Sequence, residues 1–151
     1  MLLHYAPMLY LRLIVMDSCL KVSNAEASEE VPLLWFSANQ RWEPTASKIV
    51  RTQRGLVRLT FEEQAAKYGC IRFGLPAGDH RLLNWLEACH AGRTPRESRR
   101  GMERLGRKLG ANPDDWFASV IDVPLADLCF QMWLSQHGWK SANPQELETT
   151  I

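Results

Sequence analysis

The stretch that most constrains the fold is the apolar run at residues 31–36, VPLLWF, together with its abrupt end in SANQRWEP. Val31, Leu33, Leu34, Trp35 and Phe36 leave no polar face, which predicts a strand covered by other layers on both sides. The run stops at Ser37 and Asn39. Gln40, Arg41, Trp42 and Glu43 then bring an amide, a cation, an indole and a carboxylate together before Pro44 redirects the chain. Polar groups gathered at the end of a buried strand are the raw material of a binding site.

The flanking sequence supplies the partners such a strand needs. Residues 2–6 read as a short strand ended by Pro7, and residues 8–17, apolar except at Arg12, as a buried helix. Leu20, Val22 and Ser23 suggest a brief strand, followed by an acidic loop over residues 24–30. Beyond Pro44, TASKIVRTQRG carries few apolar residues and reads as a mobile loop or a loosely held helix. Leu56, Val57, Leu59 and Phe61 resume a strand pattern, and Thr60 with Glu63 has the spacing of a capping box for a helix closed by Gly69. Cys70, Ile71 and Phe73 form another strand.

Two helices follow in this reading. Asp79 caps one through Leu82, Trp85 and Cys89, and Thr94-Pro95 with Glu97 opens a second. The second carries Met102, Leu105 and Leu109 on one face and is otherwise strongly basic. A turn at Asn112-Pro113, a short helical piece, a strand-like segment at residues 120–124 and a final strand at residues 128–134 complete the domain. Regular strand–helix alternation is absent, so a doubly wound parallel sheet is not expected. The expected class is α+β: one domain over residues 1–141, built on a split mixed or antiparallel sheet with peripheral helices, and a polar tail over residues 142–151.

With 151 residues the chain holds one sizeable core. A formal net charge of +1 gives no global pull towards nucleic acid or an anionic membrane. Arg12 interrupts the N-terminal apolar run and no basic stretch precedes it, so neither a signal peptide nor a membrane span is expected. Cys19, Cys70, Cys89 and Cys129 lie far apart and match no metal-binding spacing. Reduced thiols and a cytoplasmic location follow as the expectation, with no metal site.

His4-Tyr5 on a first strand, then a helix, then a strand ending in Phe36-Ser37 resembles the histidine-type members of the ADP-ribosyltransferase-like superfamily, over about the first fifty residues. In that superfamily, which includes toxin-like enzymes and tRNA 2′-phosphotransferases, a histidine followed by a small residue opens the domain. A strand ending in an aromatic and a hydroxyl residue borders the nicotinamide pocket. The resemblance implies an NAD-binding protein that transfers ADP-ribose to a macromolecule. It implies His4 at the nicotinamide-side ribose, the Tyr5 or Ala6 backbone near the nicotinamide amide, Trp35 or Phe36 as a pocket wall, and Ser37 as a brace, with Asn39 near the site and Arg41 meeting the target or the pyrophosphate. The family's late glutamate has no counterpart here: CFQMWLSQ offers Gln131, and a neutral amide cannot offset developing positive charge. Glu43 is the candidate substitute, giving a catalytic set of His4, Glu43 and Gln131.

Each of these residues has a plainer reading. His4 can be a half-buried structural histidine, Trp35-Phe36 core, Ser37 to Asn39 a turn, and Glu43 a solvent-facing loop acid. The basic helix, with Arg96, Arg99, Arg100 and Arg104, is either a solvated face or the surface that recognises a protein or nucleic-acid target. The alternative to an enzyme is an inhibitor of the kind phages and mobile elements encode, holding a protein partner through tryptophan and arginine anchors.

Overall fold

The structure is a computed structural model that describes residues 1–23 and 29–148. In chain order it contains β1 (Leu2–Pro7), α1 (Leu11–Asp17), β2 (Cys19–Leu20), β3 (Leu34–Ser37), β4 (Ile49–Thr52), β5 (Gly55–Arg58), α2 (Phe61–Tyr68) and β6 (Cys70–Leu75). The second half contributes β7 (Leu83–Asn84), α3 (Trp85–Ala91), α4 (Arg96–Lys108), β8 (Trp116–Ser119), β9 (Val123–Pro124), β10 (Cys129–Leu134), β11 (Gly138–Ser141) and α5 (Pro144–Glu148). Seven strands form one sheet in the order β11-β10-β6-β1-β3-β8-β7. Every pairing in it is antiparallel, so the fold is α+β and the expected sheet is of the antiparallel kind.

The sheet is split. β1 pairs with β6 over six residues and β3 with β8 over four, whereas β1 and β3 meet only at Leu3 and Ser37. One face carries the main core, in which Leu2, Ala6, Leu34, Phe36, Ile71, Phe73, Leu75 and Phe130 are packed away from water. The alternation of strand residues sends Leu3 and Tyr5 to the other face, where they join Trp42 and Cys70.

Several sequence expectations are corrected. The helix expected over residues 8–17 is a short 3-10 turn followed by α1, and it buries only Leu11; Leu13 and Met16 stand 59% and 66% exposed. Two turns present one inward face, and Leu11, Ile14 and Val15 occupy it at helical spacing. The expected loop after Pro44 contains instead β4, which turns at Thr52, whose hydroxyl donates to the Gly55 carbonyl (3.0 Å), and pairs with β5 as a hairpin; β5 matches the strand expected from Leu56, but that strand ends at Arg58 and Phe61 opens α2. Ladder bonds between backbones hold that hairpin, whose Ile49, Leu56 and Val57 stay exposed.

Asp79 does not cap a helix. Its carboxylate is held by Arg81, which also reaches Asp127, and this keeps Asp79 acidic well below the usual carboxylate range. α3 starts at Trp85 behind Asn84, which forms a reciprocal capping box with Glu87. Thr94 leaves α4 uncapped by any side chain. Trp116–Ser119, rather than residues 120–124, joins the main sheet, while Val123–Pro124 pairs with β2. The expected polar tail forms α5 against α1, with Ala142 and Leu147 packed on the core. Most of the expected acidic loop, residues 24–28, and the last three residues lie outside the described residues.

Candidate functional site

The split between β1 and β3 opens a cavity of about 360 Å³ on the Leu3 and Tyr5 face, at the small end of the range for ligand sites. Its floor is the strands themselves: Leu3, His4 and Tyr5 from β1, Trp35, Phe36 and Ser37 from β3, and Trp116 from β8 opposite Ser37. One wall comes from the chain after β3, with Glu43, Thr45 and Ala46, and from Arg58 at the end of β5. The other is Trp85 with Met102 and Leu105 of α4. The two walls differ in chemistry, one charged and hydroxylated, the other apolar and aromatic.

His4 occupies the seam where the ladder is missing. Its Nδ1 lies 2.8 Å from the Trp35 carbonyl, which can only accept, so Nδ1 carries the proton and Nε2 keeps the lone pair. Burial lowers its pKa below the ordinary 6.5, and the hydrogen bond to Trp35 only partly opposes that. A neutral imidazole therefore ties the two halves of the sheet together, its ring edge-on to Phe36. In the unfolded chain His4 protonates as the pH falls through 6.5, whereas in the folded chain it resists until lower pH. The stability linked to His4 is thus complete above pH 6.5 and is lost as the pH drops towards the folded-state pKa. Urea melts from about pH 8 to about pH 5 should show this loss, and His4→Gln should flatten it; equal slopes in the two proteins would remove His4 as the cause.

The carboxylate of Glu43 is fixed on both oxygens. Ser37 Oγ donates to Oε2 at 2.7 Å, and Thr45 Oγ1 donates to Oε1 at 2.8 Å, with the Thr45 amide at 3.3 Å. Glu43 is only 6% exposed yet faces the cavity, so it is not the solvent-facing loop acid of the plainer reading. Arg58 donates to the Thr45 and Ser47 carbonyls at 3.2 and 2.9 Å, and among the described residues it pairs with no carboxylate. The site thus holds a neutral imidazole, an oriented carboxylate and a guanidinium around one space.

Asn39, Arg41 and Gln131 do not line this cavity. They belong to a clamp on the loop that delivers Glu43. Three successive carbonyls of that loop each accept a bond from a different strand's side chain: Asn39 from the Tyr5 hydroxyl, Gln40 from Arg72, and Arg41 from the Trp139 indole at 2.9 Å. Gln131 accepts from Arg72 Nε at 2.7 Å, and the Arg72 guanidinium lies over the Trp139 ring. Burial pushes the Tyr5 hydroxyl up to about 12, so it remains a donor. The Asn39 side chain accepts from the Arg41 and Trp42 amides, an Asx turn, while the Arg41 guanidinium stands in solvent near Glu62. Gln131 therefore acts through Arg72 on the loop.

Trp85, Met102, Leu105 and Trp116 complete the cavity, and nothing in the sequence marks them as site residues. Met102 and Leu105 form the apolar face of α4, a pattern that ordinarily means core. Here they are 40% and 46% exposed because Gly106 and Glu103, not they, make the helix's close contacts: Gly106 abuts the Trp116 ring and Glu103 accepts from Trp85 Nε1 at 2.7 Å. Spacing along a helix cannot separate a core wall from a cavity wall, since both are apolar.

Fold and site together describe an α+β protein with a ligand-sized cleft at the split of an antiparallel sheet. Comparison of the chain with protein-family models, curated proteins and solved structures finds no match. Among the described residues no helix is long and apolar enough to cross a membrane.

Proposed function

We propose that the cleft binds NAD and that the protein transfers ADP-ribose to a macromolecular acceptor. The observation that carries this reading is the meeting of His4, Ser37 and Glu43 on one cavity whose opposite wall is aromatic. In such a transfer the bond between the nicotinamide nitrogen and C1′ of its ribose breaks and its electron pair leaves with nicotinamide. The acceptor's lone pair then forms the new bond to C1′, and the acceptor loses a proton. Positive charge develops on the ribose in between, and a fixed carboxylate such as Glu43 stabilises it without reorganising. Nε2 of His4 suits a ribose hydroxyl, and Arg58 suits a pyrophosphate.

The basic helix α4 forms one rim of the cavity and supports recognition of an acidic target, protein or nucleic acid. Seven cations and two carboxylates lie between Arg93 and Lys108, a local net charge of +5 in a chain whose total is +1. Glu103 is occupied with Trp85, Arg99 and Arg107, while Arg96, Arg100 and Arg104 are exposed and unpaired among the described residues. All six tryptophans are buried or half-buried, so a purely partner-binding protein would have to rely on arginine and aliphatic anchors. Isothermal titration with NAD tests the reading. Binding by the native protein, lost in a folded His4→Ala variant and kept when Arg96, Arg100 and Arg104 are changed to glutamine, is the expected result. No heat at millimolar NAD overturns it.

A further inference from the structure

Charge is strongly segregated along this chain. Residues 44–61 carry Lys48, Arg51, Arg54 and Arg58 and no acid, a net charge of +4, and the stretch from Arg93 to Lys108 carries +5, so the remainder of the chain is net −8. The first of these stretches holds the hairpin β4–β5. Its root is tied to the body: the Lys48 amide donates to the buried Gln64 side chain at 2.7 Å, and Lys48 Nζ donates to the Tyr10 hydroxyl at 2.9 Å. Beyond the root the ribbon stands in water. Ile49, Arg51, Leu56 and Val57 are exposed, and among the described residues the two strands pair only with each other.

The tip of the ribbon is built. Thr52 Oγ1 donates to the Gly55 carbonyl and accepts from the Arg54 amide at 3.1 Å, closing a turn that presents Gln53 and Arg54. Nothing crowds that turn, since a Cβ placed on Gly55 meets no atom within 4 Å. The cross-strand pairs Ile49–Arg58 and Arg51–Leu56 share one face of the ribbon, and Arg58 carries that face into the cavity. Arg51 and Arg54 have no carboxylate partner among the described residues. The ribbon reaches about 10 Å from Arg58 to Gly55, and a two-stranded ribbon of that reach matches the B-DNA major groove, roughly 12 Å wide and 8.5 Å deep.

We propose that the hairpin β4–β5 enters the major groove of a DNA duplex, with Arg51 and Arg54 on the phosphates that flank the groove and Gln53 at the base edges. α4 borders the same cavity through Met102 and Leu105 and supplies a second set of cations, Arg100 and Arg104, for the neighbouring stretch of backbone. The occupant follows from the uniformity of the charge. Duplex DNA presents one phosphate charge per about 1.7 Å and no cation of its own, and a stretch without a single carboxylate suits that field better than it suits a protein surface of mixed sign. Arginine forks also match phosphate oxygens two at a time. This goes beyond the NAD reading and holds without it, since no part of the contact involves the nucleotide.

The test is fluorescence anisotropy of a labelled DNA duplex titrated with the full chain, without NAD, at salt concentrations from about 50 to 200 mM. The native protein should bind at low salt and weaken steeply as salt rises. Changing Arg51 and Arg54 together to glutamine should lower the slope of log affinity against log salt by about two, at roughly 0.9 per phosphate contact, and changing Arg100 and Arg104 should do likewise. Arg12→Gln with Lys140→Gln is the charge-matched control: Arg12 follows Leu11 of the main core, Lys140 pairs with Met132 that packs on it, and the slope should not change. All six residues are exposed, so thermal melts of the variants should match the native one. No binding by the native protein, an unchanged slope in the hairpin variant, or an equal drop in the control overturns the proposal, and an unchanged slope in the helix variant removes α4 from the surface. Duplex RNA of the same sequence that binds as tightly overturns the groove fit, because the A-form major groove is too narrow for a ribbon. Polyglutamate that displaces the duplex at equal charge concentration overturns it in favour of an acidic protein. Titration with NAD decides the NAD reading separately from every one of these outcomes.

Discussion

Glu43→Gln should lower ADP-ribose transfer by roughly 10²–10³-fold while leaving NAD affinity within a few-fold, the signature of a group that acts on the transition state. The substitution is close to isosteric and the surroundings can accept it. The carbonyl of the new amide would keep the Thr45 donors, and its NH₂ group would face Ser37 Oγ, whose proton is free to rotate. What disappears is the negative charge opposite the developing cation. Steady-state transfer with the purified target, beside NAD titration and a thermal melt, separates this from misfolding. A folded Glu43→Gln protein with native turnover would reduce Glu43 to a loop cap, in which case Ser37 and Thr45 hold a structural acid.

Phe73→Ala carries the largest expected cost in stability, about 3–5 kcal/mol. Phe73 is fully buried at the centre of the sheet, paired with His4 on one side and Phe130 on the other, and its ring lies 5.1 Å from that of Phe130. Removing it leaves a cavity that β1, β6 and β10 cannot close without breaking their ladders. The midpoint of urea unfolding measures the loss. A cost under about 1 kcal/mol would mean that this part of the core collapses freely. Because Phe73 belongs to the main core and does not line the cleft, NAD affinity in the folded fraction should change little, which separates the core from the site.

Some of the site can be read directly from the chain, and the reason differs from residue to residue. His4, Tyr5, Trp35, Phe36 and Ser37 stand out because they sit on two apolar strands whose polar interruptions are conspicuous. Glu43 stands out because it follows so soon after β3, and a loop of that length must fold back on the strand it leaves. Gln131 can be placed on a strand but its role is not legible: its partner is Arg72, 59 residues away in sequence, and only the register of β6 against β10 brings them side by side. Of the hairpin only β5 shows a strand pattern, and β4 escapes a reading of composition because backbone pairing stabilises it. The tryptophan wall escapes for the opposite reason, since its composition is that of a core.

By itself the sequence determined the α+β class, the buried strand β3, the helix start at Thr60 and the polar cluster that follows Phe36. These are local matters, governed by hydrophobic period, side-chain caps and turn residues within a few positions of one another. Only the tertiary structure decided that β1 and β3 part after one pair, that His4 fills the gap, and that α4 turns Met102 and Leu105 over a cleft instead of into the core. Those outcomes depend on which residues meet across the sheet, and pairing between distant strands is set by the packing of the whole chain and by no single stretch of it.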